Sequence, residues 1–198
     1  MVETKQEIPN PNPLGMAVIA LACFVFGALY LGKVTVDSFP ILACWLVATG
    51  IVPLILGFME MRKRNLVLGN FFLFFAAFFI LAMGLGMGVK YWLIKGRLPF
   101  DSRIEGYGLL AGALFLTIIT PSFRKGSVLI LLFIVLMDLS LWSMAGLNMG
   151  LLRLATFKPI AGWLLMTGGV LGIYIAGAIT LNHVFRRTVL PMPGSLAE

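Results

Sequence analysis

Charge is scarce in this chain. Asp, Glu, Lys and Arg together make up 12% of its 198 residues, where a soluble domain carries about a quarter. A water-facing fold is therefore excluded. Potential metal ligands are scarcer still. There is one histidine, His183, and the two cysteines, Cys23 and Cys44, sit inside apolar segments with no CxxC spacing. Such a set gives a metal or redox centre almost no ligands to draw on, and both thiols read as small buried hydrophobes. No glycine-rich phosphate loop, no Ser/His/Asp set and no pair of acids at catalytic spacing is found. A membrane-embedded enzyme is disfavoured on that ground, and no cofactor is expected. The formal balance of +7 lies in short joints flanking apolar runs, which argues against nucleic acid as a partner. A cleavable leader is not expected either, because the first apolar run is too long and a second follows at once.

What the chain has in abundance is continuous hydrophobic sequence: 60% of residues are apolar and the mean hydropathy is +1.01. The runs do not alternate, which favours helices over a barrel. A bilayer needs about 20 apolar residues per helix, and six segments qualify: 13–32, 39–59, 66–89, 106–120, 127–147 and 159–182. The expected fold class is an all-α polytopic membrane protein with six transmembrane helices. It forms a single domain over 1–198, with a polar N-terminal tail at 1–9 and a C-terminal tail at 186–198. Pro53 should kink or interrupt the second helix. The longest joint, 90–105, has room for a short interfacial helix at 91–94. Six spans put both termini on one side. Lys and Arg are almost evenly divided between the two sides, but the dense Arg62-Lys63-Arg64 and Arg186-Arg187 clusters favour a cytoplasmic side for both termini.

Small residues recur at four-residue spacing in Gly84/Gly88, Gly108/Gly112, Gly146/Gly150 and Gly168/Gly172/Ala176, the mark of close helix seams. Met137, Ser140, Met144 and Asn148 fall on one helix face. That stripe could line a pathway or a seam, and periodicity alone leaves both open. Asp138, one residue off the stripe, is the only acid deep in a span. It is a candidate for proton coupling, or a group hydrogen-bonded to a neighbouring helix or protomer. Among the phenylalanines of the third span, one or two could form a hydrophobic constriction. Trp163, Thr167 and Tyr174 share a face of the sixth. Glu60 reads as an interfacial ion pair with the basic turn that follows it, more than as a substrate contact.

Asn10-Pro11-Asn12-Pro13-Leu14-Gly15, by itself, is a well-punctuated helix start. It also resembles the NPxPLG signature of the acetate uptake transporter (succinate–acetate permease) family. The match continues in Gly57-Phe58-Met59-Glu60 and in Ala161-Gly162-Trp163. It ends with Tyr174, Asn182, Phe185 and Arg187-Thr188-Val189-Leu190-Pro191. The resemblance covers nearly the whole chain. It implies a six-helix protomer in a homo-hexamer of the plasma membrane, with cytoplasmic termini and a pathway through each protomer. The implied solutes are small monocarboxylates such as acetate, with succinate as a further candidate, moved by channel-like passage or with protons. Carried over by position, the hydrophobic constriction falls on Ile19, Phe75 and Met137, and polar pathway positions fall on the signature, Asn148 and Tyr174. Two constriction residues depart from the usual pattern, Ile19 for Phe and Phe75 for Tyr, and Asp138 stands where the family is commonly uncharged. The competing readings are a channel for small neutral solutes such as urea or amides, and a non-transporting membrane assembly subunit.

Overall fold

Gly32 (φ +68°) and Gly150 (φ +75°) end two of the helices in the left-handed region that glycine enters without strain. Together with side-chain caps they divide the chain into six rods. The computed structural model of the protein describes residues 12–194. We number the helices α1 (Asn12–Tyr30), α2 (Phe39–Arg62), α3 (Leu66–Lys95), α4 (Arg103–Ile119), α5 (Val128–Asn148) and α6 (Leu154–Phe185). A Pro in the first turn opens α2. The Asn65 side chain accepts from Leu68 N at 3.3 Å to cap α3, and Ser127 caps α5 by accepting from Leu129 N at 3.3 Å. A short 3₁₀ turn, Thr120–Lys125, closes α4. All six, α4 taken together with its closing turn, are long and apolar enough to cross a membrane. Asn12, Arg62, Leu66, Val128 and Phe185 lie at one end of the bundle, the terminal end. Tyr30, Phe39, Lys95, Arg103, Asn148 and Leu154 lie at the other, the loop end.

The rods pack as a closed ring. α1 lies against α2 and α6, α2 against α3, and α5 against α4 and α6. Aromatic rings of α3 meet glycines of α4 to complete the circle: Phe78 lies over Gly108 and Gly112, and the Phe74 ring packs at a tilt against Phe115, 4.6 Å between centroids. Without water to drive association, such contacts depend on close backbone approach. α6 achieves it with Gly162, Gly169 and Gly172 against Leu31, Phe24 and Ala20 of the α1 side. The large, fully buried side chains come mostly from α1, α3 and α5, whose inner faces fill the axis with Ile19, Phe26, Phe75, Phe79 and Phe133.

α3 is not a uniform α-helix. Residues Phe75–Ala82 wind as a π-helix, and this aims its inner row. Phe71, Phe75, Phe79, Met83 and Met87 are spaced four apart, and each four-residue step on an α-helix overshoots a full turn by about 40°. Four such steps would carry Met87 about 160° away from Phe71. The π segment takes up roughly one extra residue and so removes about 100° of that drift. Phe71, Phe75, Phe79 and Met87 are accordingly all buried, and Met83 packs against the same core.

Four expectations change. Residues 91–94 form no separate interfacial helix, because α3 runs on to Lys95. α6 begins at Leu154 and takes Pro159 into its early turns. Gly146 and Gly150 are not a helix seam. Gly146 packs on Leu152 of the following loop and Gly150 makes the turn. Cys23 is buried as expected, but Cys44 faces outward from α2.

Gly106 marks the tightest approach that bears on the loop end. A Cβ there would lie 2.8 Å from Met149 N and 3.1 Å from the Asn148 carbonyl carbon, both backbone atoms. At Gly88 a Cβ would meet only Ala43 Cβ at an ordinary 3.6 Å. Gly106→Ala is expected to destabilise the fold by about 1–3 kcal/mol through overpacking, and Gly88→Ala to leave it unchanged. Thermal unfolding of the detergent-solubilised variants checks both, and equal melting temperatures would contradict the packing described.

Candidate functional site

The loop end opens into a cavity of about 390 Å³ to which all six helices contribute. Its polar lining consists of Tyr30 from α1, Lys90 from α3, Glu105 from α4, Asn148 from α5 and Lys158 from α6, with Thr35 from the loop before α2. Asn148 Nδ2 donates to Met144 O at 2.9 Å and to the Tyr30 hydroxyl oxygen at 3.3 Å. Lys90 and Glu105 form an ion pair between adjacent helices. Two further ion pairs lie around this end. Lys95 meets Asp37 at 2.5 Å, and Arg103 donates to both carboxylate oxygens of Asp101. The Arg103 hydrogen bonds hold the Asp101 carboxyl down at about 2, so this pair stays charged at any physiological pH.

Met83 and Met87 wall the cavity on the α3 side, and the polar lining gives way to an apolar plug further along the axis. Ile19, Phe75 and Met137 are each 0–1% exposed and belong to one buried cluster. Rings extend the plug: Phe75 lies 4.6 Å from Phe71 and 5.5 Å from Phe79, and Phe79 lies 5.2 Å from Phe26. Cys23 Sγ donates to Met137 Sδ at 3.3 Å. Ser140, also buried, turns its hydroxyl back to Leu136 O. The face that carries Met137, Ser140, Met144 and Asn148 thus lies inside the bundle and ends at the cavity.

At the terminal end, Asn10 and Pro11 lie outside the described residues. The side-chain carbonyl oxygen of Asn12 is buried at the start of α1. Leu14 faces outward at 56% exposure, and Pro13 is half-buried. Gly15 allows α1 to rest on α3: a Cβ there would lie 2.6 Å from a Phe72 ring carbon. Glu60 is 2% exposed. It accepts from Lys63 Nζ at 3.1 Å and from Asn65 Nδ2 at 2.8 Å, while Asn65 caps α3. Glu60 therefore fixes the α2–α3 corner and takes the ion pair read from the sequence.

Two candidates lie away from the axis. Tyr174 is not among the cavity residues; its hydroxyl donates to Pro191 O at 3.0 Å. Asn182 accepts from Val189 N and Leu190 N at 2.7 and 3.0 Å and donates to Leu190 O at 2.8 Å. Ser127 continues the strap by donating to Pro193 O at 2.8 Å. The C-terminal pattern therefore clasps the tail against α6 and the start of α5. Asp138 is half-buried on the outer side of α5, where Thr117 of α4 donates to its carboxylate at 2.8 Å and Trp142 donates to the Thr117 oxygen at 3.0 Å. It does not line the cavity. Tyr30, Lys90, Glu105 and Lys158 went unrecognised in the sequence. The signal was an acid in the first turn of α4 facing a base near the end of α3.

The model of the GPR1/FUN34/yaaH family matches residues 2–194. The chain belongs to this family. It is the acetate uptake transporter family to which the sequence motifs point. No curated protein matches the chain. Among solved structures, that of the bacterial acetate channel SatP superposes with a TM-score of 0.79 over 94% of this chain and 99% of that one, at 22% identity. The six-helix membrane fold is thus common to both.

The strap yields a direct test. Asn182→Ala removes three hydrogen bonds to the tail, each worth about 0.5–1.5 kcal/mol. Trypsin is expected to cleave at the exposed Arg186 and Arg187 at least ten times faster in this variant, measured by mass spectrometry over time. An unchanged rate would mean that the strap is held elsewhere.

Proposed function

We propose that the protein moves small monocarboxylates, with acetate as the reference solute, across a membrane through a pathway within each protomer. One observation carries this reading: a cavity with two lysines, a tyrosine and an amide ends on a dry plug along the axis of the ring. The donors suit a carboxylate, and the plug suits a solute of few carbons. The route runs from the loop end past Tyr30 and Asn148, through Ile19, Phe75 and Met137, to Asn12 at the terminal end.

The plug contains no ionisable side chain apart from the Cys23 thiol. Moving a bare carboxylate through such a stretch costs several kcal/mol, whereas the neutral acid crosses more readily. Coupling to protons then arises from the solute carrying its own proton, and Asp138 has no part in it. We read the outward Asp138–Thr117–Trp142 group as covered by a neighbouring copy in a homo-hexamer. An intramembrane carboxylate facing lipid costs about 2.5–3.5 kcal/mol, which favours such cover. The basic clusters at the terminal end support cytoplasmic termini in a plasma membrane.

Labelled acetate uptake into proteoliposomes tests the function. Flux equal to that of empty liposomes, with or without a proton gradient, would refute it, and pH-independent urea flux in its place would favour a neutral-solute channel. Phe75→Ala should raise butyrate flux several-fold relative to acetate, and an unchanged ratio would remove Phe75 from the constriction. Asp138→Asn should leave the pH profile of acetate flux superimposable on that of the parent protein. A displaced profile would return Asp138 to the proton path.

A further inference from the structure

The loop-end cavity contains a carboxylate already. Glu105 reaches from the first turn of α4 across to Lys90 of α3, with its other oxygen over Gly86, where even a Cβ would stand 3.6 Å away. The two side chains are 26% and 15% exposed, so the pair is neither sealed nor freely solvated. Burying a salt bridge gains little over apolar packing, because the desolvation cost offsets the attraction. A pair maintained in the mouth of the cavity is therefore poorly explained by stability alone.

The chemistry around it indicates a use. A monocarboxylate and the Glu105 head present the same two oxygens to an ammonium group. Beside the pair, the Tyr30 oxygen accepts from Asn148, which leaves the hydroxyl proton available to donate into the cavity. Lys158 lines the same cavity and pairs with no acid among the described residues. Lys90 and Lys158 against Glu105 leave the cavity with one excess positive charge, which draws anions to it.

We propose that Lys90 is an exchangeable carboxylate site, with Glu105 as its resident occupant. An incoming monocarboxylate displaces the Glu105 head from Lys90 and takes a second hydrogen bond from the Tyr30 hydroxyl, while Lys158 collects anions at the rim. Glu105 then serves two purposes. It keeps Lys90 compensated when no solute is present, and it weakens solute binding enough for release toward the plug. The site deepens the transport reading and rests on it for its role, but its occupancy is measurable without any flux.

Acetate binding to the purified protein in nanodiscs, followed by saturation-transfer NMR, tests the exchange, with acetamide as the uncharged probe of the same shape. Glu105→Gln removes the competitor and should lower the apparent acetate Kd at least fivefold. Lys90→Met should abolish the saturable acetate signal, and Lys90→Arg should retain it. Acetamide binding should respond to none of these changes. An unchanged acetate Kd in Glu105→Gln, or an equal shift for acetamide, would overturn the proposal. If the parent protein transports acetate while Glu105→Gln leaves the Kd unaltered, the exchange alone fails. If transport is absent while the binding shifts appear, the transport reading fails and the site remains.

Discussion

A bare carboxylate is costly in hydrocarbon, and this constraint arranges the polar groups along the axis of the ring. Lys90, Glu105, Tyr30 and Asn148 lie at the loop end, where water reaches them, and Glu60, Lys63 and Asn65 bond one another at the terminal end. Between these two layers the axis is Ile19, Cys23, Phe26, Phe75, Phe79 and Met137. Backbone groups are satisfied within each helix, and buried hydroxyls such as Ser140 return to a carbonyl four residues back. A dry middle between two polar ends is the arrangement expected of a conduit in which the solute is desolvated once, over a short distance.

The six spans were legible because hydrophobic runs of membrane length have few alternative explanations. The Met137–Asn148 stripe was also legible, since a single unbroken helix preserves its period. The cavity was not, because it is assembled from residues 30, 90, 105, 148 and 158, which only the folded ring brings together. Asp138 illustrates the limit of reading one helix at a time: one residue from Met137 is a rotation of about 100°, enough to move a carboxylate from the axis to the outer face. Tyr174 and Asn182 illustrate another limit. They belong to a family pattern, yet their hydrogen bonds are to the tail.

Glycine has different work on different helices. On α6 it lets α1 approach closely, with Gly172 set against Ala20 and Phe133, and on α4 it makes room for the rings of α3. The phenylalanines crowded into α3 therefore have defined places: Phe71, Phe75 and Phe79 inside, Phe74 and Phe78 toward α4.

The π-helical stretch gives α3 a phase. If the same residues were wound as an uninterrupted α-helix, everything beyond Ala82 would be turned by about one residue's rotation, ~100°, relative to Phe75. Met87 would leave the core, and Lys90 would leave the mouth of the cavity. The angular offset between plug and vestibule is therefore set by backbone winding and not by the side chains of either. A shift in that winding would act on both together, like a camshaft whose lobes are cut on one rod.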